Sequence, residues 1–500
     1  MRVPACALRA AVRVPRGSRA LGRRPVPHPF APSHRGLCTT AVRPSDDTGG
    51  RKWSTPLAER LAAAIEATGP MPIARYMRMC LTSDLGGYYT RGDLKEGEDQ
   101  FGAKGDFVTS PEISQIFGEL IGIWFTVEWL CQGRPSSGVE LIEVGPGRGT
   151  LMDDMLRTIK KSPMAKSVDA IHLVEASAHL RDVQKNVLCG PEARLTESKT
   201  GWHGVCKHTN VPITWTETIQ SVPKSATKMP FIVAHEFFDA LPIHAFQRVE
   251  VPSTQPSETP SSADSTQAPA ESPKPKFEWR ELVVTPTPTQ PTLDPSNPAP
   301  EFQISLSEAP TNNAQYLSHF SPRLREFEST PNAIVEVCPD AALYADEFAT
   351  RIGGSAKHPK PKPTGAALIL DYGSDVAPVN SLRGIRRHRR VSPFAEPGLV
   401  DISADVDFTA IARAATRASE GVEVHGTVTQ EEFLLRMGGK ERMHMLMKAA
   451  GPGRAEVIRE AFERLVDGSE GGMGKLYKAL AILPENGGRR RPVGFGGDVV

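Results

Sequence analysis

The chain has 500 residues, 39% of them hydrophobic, which is enough to bury a large core in two or three structural units. Its 59 lysines and arginines against 58 acids leave a formal net charge of +1, so there is no electrostatic footprint for nucleic acid as a partner. No apolar run approaches the length of a membrane span, and the seven cysteines include no CxxC pair, which points to neither a zinc site nor a disulfide framework.

Residues 1–45 hold nine arginines and no lysine, and the first acid is Asp46. An Arg-rich, acid-free leader reads as a mitochondrial transit peptide, with Arg9 and Arg13 on one face of a short helix and removal near Arg35 to Thr40. A disordered basic tail is the alternative. The five later cysteines suit a reduced, matrix environment. Residues 54–135 read as an N-terminal helical and lid region. Pro56 opens a helix bearing Leu57, Leu61 and Ile65 that stops at Gly69, and a second covers Ile73 to Leu81. A glycine-rich reach then ends in Thr109-Ser-Pro-Glu112, a capping box with Thr109 as cap and Glu112 reaching back. The helix it opens carries Ile113, Ile116, Phe117, Leu120, Ile121 and Trp124 on its apolar side. A long loop running into a capped helix just before the core predicts a lid over the cofactor; helices that only pack on the sheet are the alternative.

Residues 136–376 read as the core. Val139, Leu141, Ile142 and Val144 form an apolar run too short for a helix, the pattern of a buried parallel strand. Glu143 stands near its end, Gly145, Gly147 and Gly149 follow at alternate positions, and Leu151, Met152, Met155, Leu156 and Ile159 then fall on one helical face. A strand that turns on glycines into a helix brings bare backbone N–H groups close to a ligand. The dinucleotide fingerprint needs its third glycine at position 150, where Thr150 stands, which argues against a NAD-dependent oxidoreductase. Glu-x-Gly-x-Gly-x-Gly is the spacing that Rossmann-like methyltransferases use for S-adenosyl-L-methionine, although tight turns also need glycine for steric reasons alone. The next strand, Asp169 to Val174, ends at Glu175, an acid placed to accept ribose hydroxyls; a surface acid opening the helix Ala176 to Val187 is the alternative.

Val211 to Thr216 predicts a third strand ending at Glu217, and Phe231 to Ala234 a fourth, followed by His235-Glu236-Phe237-Phe238-Asp239. Ile243 to Val251 and Phe277 to Val284 alternate as a hairpin. Residues 252–276 and 285–300 hold twelve of the 44 prolines and predict disordered inserts around its second strand. Ala333 to Val337 and Ala366 to Leu370 are later strands, the latter ending Asp371-Tyr372-Gly373, and the alternation of strands with helices implies a mostly parallel sheet. Residues 377–483 read as a C-terminal helical region. It opens on a basic loop with Arg383, Arg386, Arg387, Arg389 and Arg390 around His388, either solvated surface or the contact for an acidic partner. Helices follow at Phe408 to Ala418, at Glu431 to Met437 behind a Thr429-to-Glu432 capping box, and at Val457 to Val466. Residues 484–500 read as a disordered tail.

The segments GYYTRGD, GDFVTSPEISQIFGELIG, LIEVGPGRGTLMDDMLR, HLVEASAHLR, HEFFDALPIHAFQ, LILDYG, SLRGIRRH, PGLVDISADVDF, QEEFLLRMG and MGKLYKAL run in family order across residues 70–483. They resemble the MidA-type mitochondrial protein-arginine methyltransferases, the family needed for assembly of respiratory complex I. The resemblance implies an α/β fold: a Rossmann-like S-adenosylmethionine-dependent methyltransferase core with a mostly parallel sheet, a helical N-terminal lid and a C-terminal helical elaboration. It implies a soluble matrix enzyme that makes symmetric dimethylarginine on a complex I subunit. In this chain Glu143, Gly145, Gly147 and Gly149 would hold the methionine part of the cofactor, Glu175 the ribose and Glu217 the adenine, with Thr109 on the lid. Two positions depart from the family: His235 stands where Asn is usual before the EFFDALP run, and Asp405 where His is usual in the TAHVDF segment.

An arginine acceptor has a pKa of about 13.8, so its nitrogen is a poor nucleophile until it is oriented and relieved of a proton. Such a site needs carboxylates that grip the guanidinium and draw charge from the attacking nitrogen. Glu236 and Asp239, on the turn after the fourth strand, belong to the same sheet edge as the glycine loop, and Phe237 and Phe238 can wall the slot. The alternative makes Asp239 a helix cap and the phenylalanines core. A chaperone that binds S-adenosyl-L-methionine and works chiefly by protein binding is the competing function.

Overall fold

Val139–Val144, Val168–Val174, Met229–His235 and Ala366–Ser374 are short apolar runs, and in the computed structural model each is a strand buried along nearly its whole length. The structure describes residues 51–91, 102, 105–251, 276–288, 299–320 and 322–496. Strands of this composition need cover on both faces. They pair in parallel, with Val139–Val144 between Val168–Val174 on one side and Met229–His235 on the other. Pro212–Thr216 extends the parallel run beyond Val168–Val174, and Ala366–Ser374 extends it beyond Met229–His235. Side chains alternate between the faces. Leu141 and Phe231 join the core under Gln115–Cys131 and Thr150–Ile159, and Ile142 and Ile232 join the core under Pro339–Gly353 and Phe408–Ala418.

Both edges of the ten-stranded sheet are antiparallel. At one, Gly201–Val205 and Thr196–Ser198 add to Pro212–Thr216, two strands for which sequence periodicity gives no clear signal. At the other, Tyr477–Pro484 pairs with Ala366–Ser374, and Val422–Thr429 pairs with Tyr477–Pro484. This corrects the expectation of a purely helical region over 377–483. Its helices are present at Phe408–Ala418, Gln430–Arg436, Gly439–Ala449 and Pro452–Leu465, and the Thr429–Glu432 capping box is formed. The same region nonetheless completes the central sheet, because YKALAILP is another apolar run of strand length. Tyr477–Pro484 also shows that the tail begins later than expected. Beyond it Phe495 is buried against Trp124 and Phe433, with ring centroids 6.3 and 5.6 Å away, and Arg490 grips the fully buried Glu128 at 2.9 Å.

The hairpin is present as His244–Val251 and Lys276–Pro286, antiparallel, but it belongs to a second, five-stranded sheet. Ile334–Val337 pairs antiparallel with it, so this strand does not extend the parallel core as the alternation suggested. Pro56–Thr68 and Ile73–Thr82 form where expected, with Gly69 at φ +85° ending the first, and they pack on this second sheet. Residues 1–50, with the transit-peptide reading, and residues 252–275 and 289–298 of the inserts lie outside the described residues. Thr285 and Pro286 are strand, paired with Gln303 and Phe302, so the second insert starts later than its composition suggested.

Val251 and Lys276 are register partners, so the first insert joins two residues that already face each other. Replacing 252–275 with an Asn-Gly turn, which closes a two-residue hairpin, is expected to leave the melting temperature unchanged; a marked fall would show that the insert packs. Arg490→Ala strands the buried Glu128 carboxylate and is expected to cost about 2–4 kcal/mol in urea unfolding, whereas a freely frayed tail would give no change.

Candidate functional site

The chain runs from Val139–Val144 outward to Val168–Val174 and Pro212–Thr216, then returns to pair Met229–His235 on the opposite side of Val139–Val144. In open α/β sheets the carboxyl end of such a reversal is where ligands bind. A cavity of about 330 Å³ lies there, within the range of small-molecule sites. It is lined by Thr109, Glu143, Gly145, Gly147, Glu175, Glu217, Glu236 and Asp239, which brings together every candidate residue but Gly149. Gly149 is the N-cap of Thr150–Ile159 and does not reach the cavity.

Gly145, Gly147 and Gly149 all have left-handed backbones, with φ of +65°, +52° and +83°, which explains their alternation. A Cβ on Gly145 would lie 2.6 Å from the Phe237 ring, so this glycine is also required by the facing turn. Thr150–Ile159 has no side-chain cap, and Thr150 and Leu151 line the cavity, which leaves the N–H groups of its first turn at the cavity wall. Glu143 is buried, and its Oε2 has no hydrogen-bond partner among the described residues; burial, with Glu175 nearby, pushes its pKa up to about 8. Glu175 accepts from the Ser177 N–H at 2.8 Å and from Gln184 Nε2 at 3.0 Å, and burial lifts it to about 7 despite these bonds. Glu217 stands exposed at the cavity's edge. Gln184 also donates to the Gly147 carbonyl at 2.7 Å and accepts from Trp215 Nε1 at 2.9 Å. One buried amide thus ties the glycine loop to the tips of two further strands.

The lid expectation takes a different form. Thr109 lines the cavity but makes no side-chain cap, so the capping box is absent. The helix expected from Thr109 is broken: Ser110–Ile113 is a single turn, and Ser114 caps a separate helix, Gln115–Cys131. Glu112 lies 3.5 Å from Arg148 of the glycine loop instead of reaching back to Thr109. The short turn is useful in another way, because the Ser110 backbone faces the Glu236 carboxyl and works against the rise in its pKa.

Glu236 has a left-handed backbone at φ +47°, a strained conformation for a side-chain-bearing residue. Its N–H donates to the Leu370 carbonyl at 3.0 Å. No helix follows, so Asp239 is not a helix cap. The turn is held instead by Asp371, whose Oδ2 accepts from the N–H groups of Phe237, Phe238 and Asp239 at 3.1, 2.9 and 3.4 Å. Asp239 receives the Tyr372 hydroxyl on Oδ2, while its Oδ1 and Glu236 Oε1 have no partner in a hydrogen bond among the described residues. Asp401 accepts from Tyr89 at 2.8 Å. Burial pushes all four acids upward, Asp401 to about 7; repulsion from Asp239 adds to the rise at Glu236, Asp371 and Asp401, while Tyr372 and Arg383 oppose it at Asp239. Arg383 lies over the Tyr372 ring at 4.4 Å and pairs with Asp405 at 2.6 Å, so the departure at 405 has a defined role as its counter-ion. His235, the other departure, is buried edge-on to Phe117 and its pKa falls to about 3 by burial, which keeps it neutral. Phe237 lines the cavity beside Tyr344, whereas Phe238 is core. Sequence reasoning does not pick out Asp371, Tyr372, Asp401, Tyr89 or Gln184; the only signal was Asp371-Tyr372 at the tip of a parallel strand.

A family model described as "Putative S-adenosyl-L-methionine-dependent methyltransferase" matches residues 120–428. The mitochondrial protein arginine methyltransferase NDUFAF7 of Danio rerio is 35% identical over 431 residues, 85% of this chain and 86% of that protein. The human protein of the same name is 34% identical over 444 residues, 87% and 86% of the two chains. In fold, the chain is similar to the crystal structure of a Burkholderia thailandensis protein bound to S-adenosyl-homocysteine, with a TM-score of 0.60 at 22% identity over 89% of this chain and 93% of that one.

Asp371→Ala leaves three N–H groups without their acceptor and is expected to destabilise the protein by about 3 kcal/mol or more in denaturant unfolding. Asp371→Asn keeps an oxygen in place and should recover much of that loss. Equal stability of Asp371→Ala and the parent would show that the turn holds itself.

Proposed function

The chain belongs to the S-adenosyl-L-methionine-dependent methyltransferase family, and from that premise we propose that it methylates arginine side chains of a protein. The observation that carries the reading is the cluster of Glu236, Asp239 and Asp401 on the cavity wall, with Asp371 buried behind it. Its neighbouring cation, Arg383, is already paired with Asp405. Buried acids without matching positive charge are costly, and a guanidinium entering the cavity supplies that charge.

The cavity suits the cofactor. The unpartnered Glu143 oxygen would receive the ammonium of the methionine part, with the backbone of Gly145 and Gly147 and the loop closed by Gly149 beside it. Glu175 would take the ribose hydroxyls and Glu217 the adenine side, with Thr109 on the segment that closes over them. When bound, S-adenosyl-L-methionine supplies an electrophilic methyl group on its sulfonium. Glu236 would grip the guanidinium and accept the proton that its nitrogen gives up. Asp239, steadied by the Tyr372 hydroxyl, takes a further N–H. Phe237 and Tyr344 wall the slot and exclude water. Most of the acceleration then comes from alignment.

The relatives are named mitochondrial, and residues 1–45 have the composition of a transit peptide, which supports the matrix as the compartment. By the family resemblance the substrate is a complex I subunit and the product symmetric dimethylarginine, a type II activity.

Glu236→Gln removes the charge and keeps the shape. It is expected to hold S-adenosyl-homocysteine affinity by calorimetry within a few-fold while cutting tritium transfer into methylarginine in matrix protein by about a hundredfold or more. Transfer at the parent rate would make Glu236 structural and favour the chaperone reading. Because burial raises these acids, they gain the charge that grips a guanidinium only as pH rises. The parent's kcat/KM should therefore climb as pH rises above the ordinary carboxylate range, because burial holds Glu236 and Asp239 above it. A profile already flat from pH 5 upward would contradict an acid grip.

A further inference from the structure

The inner wall of the cavity is acidic, but its rim is basic. Tyr89, Thr90 and Ile385 line the cavity. Arg91 follows the first two in the chain, and Ile385 belongs to the hairpin Arg383–Arg386 and Arg389–Val391, which corrects the expectation of a loop there. Arg387, His388, Arg389 and Arg390 of this hairpin are exposed. Ile385 faces Arg390 in register, and Arg386 faces Arg389. Residues directly opposite share a face, so Arg390 stands beside the cavity-lining Ile385, while Arg386 and Arg389 stand together on the other face. Glu396 pairs with Arg386; among the described residues no carboxylate pairs with the side chains of Arg387, Arg389 or Arg390.

The hairpin's turn is rigidly placed. The Arg387 N–H donates to Asp106 Oδ1 at 2.7 Å, the His388 N–H to the Asp106 carbonyl at 3.0 Å, and Tyr88 to Asp106 Oδ2 at 2.7 Å. Arg387 and His388 both adopt left-handed backbones, φ +49° and +59°, to make these bonds. The three residues after Asp106 line the cavity, so the exposed arginines are fixed relative to its mouth. Exposed arginines gathered on one turn without a paired carboxylate among the described residues raise the local positive potential, which an anionic ligand neutralises.

We propose that this rim docks an acidic stretch of the polypeptide that carries the accepting arginine, so that the protein selects an arginine flanked by aspartates and glutamates. The proposal rests on the arginine reading for what enters the cavity, while the docking itself is measured by binding. The probes are fluorescent peptides, tested by anisotropy with saturating S-adenosyl-homocysteine: a central arginine with acidic flanks, the same peptide with amide flanks, and the acidic flanks around alanine. The parent is expected to bind the acidic arginine peptide about tenfold or more tighter than the amide one at low salt, with the gap closing as salt rises. R387Q/R389Q/R390Q should erase the gap while keeping the melting temperature and S-adenosyl-homocysteine affinity. The chain's own acids Glu96, Glu98 and Asp99 follow Arg91 closely in sequence, so E96Q/E98Q/D99N is measured beside the parent. Equal binding of acidic and amide peptides by both proteins overturns the proposal. If the acidic peptides bind alike with arginine or alanine and no methyl group is transferred, the arginine reading fails and the docking surface stands.

Discussion

A carboxylate that takes three backbone N–H groups in succession, as Asp371 does at Phe237, Phe238 and Asp239, fixes a turn that no helix or strand continues. It can do so because Ala366–Ser374 and Met229–His235 pair in parallel, with Leu370 opposite His235, which brings the residues just beyond each partner together. The left-handed backbone of Glu236 costs about 1–3 kcal/mol where surrounding structure does not impose it. Here the bonds from Leu370 and Asp371 on either side impose it. The neighbouring residue, Tyr372, then places its hydroxyl on Asp239. One strand pair thus determines where the two candidate acceptor acids point, and the chemistry depends on the sheet register before it depends on any side chain.

The same placement has an electrostatic consequence. Glu143, Glu175 and Asp401 are lifted to about 8, 7 and 7, with burial as the first cause in each. A folded carboxyl with a raised pKa binds its proton more tightly than the unfolded chain does. Its contribution to stability is therefore complete below the ordinary carboxylate range and is lost as pH rises through 7 to 8. Near neutral pH the ligand-free protein holds charge it cannot neutralise from within. Cationic ligands reverse that balance, since an ammonium beside Glu143 or a guanidinium beside Glu236 favours the ionised acid. The site is built to be least comfortable when empty.

Sequence legibility divides along chemical lines. The glycine loop, Glu143 and Glu175 were readable because the features that place them are local: a strand, a turn with left-handed glycines, a helix and the next strand, all within one βαβ unit. The Thr429–Glu432 capping box was readable for the same reason, and the Thr109–Glu112 box was not, because Arg148 competes for Glu112 from across the cavity. Strand Tyr477–Pro484 had the apolar run of a core strand but followed helices, and fold position cannot be read from composition. The acid cluster was least legible. Ser110, Glu236 and the stretch that holds Asp371, Arg383 and Asp401 meet from three separate parts of the chain, and no spacing rule links them.

This division also explains how the two departures from the family pattern sit in the fold. His235 occupies a strand end sealed by Phe117, where burial keeps it neutral, so it adds bulk and polarity to the cavity wall without adding charge. Asp405 adds a charge, but places it on Arg383, the cation nearest Asp239. An arginine free to turn inward would neutralise Asp239 and compete with any incoming guanidinium. Held by Asp405 and by the Tyr372 ring, Arg383 stays at the side of the cluster, and the acids remain available for a cation from outside. The departure at 405 therefore keeps Arg383 paired by a carboxylate in place of a neutral ring, which is what the proposed arginine grip requires of the acids beside it.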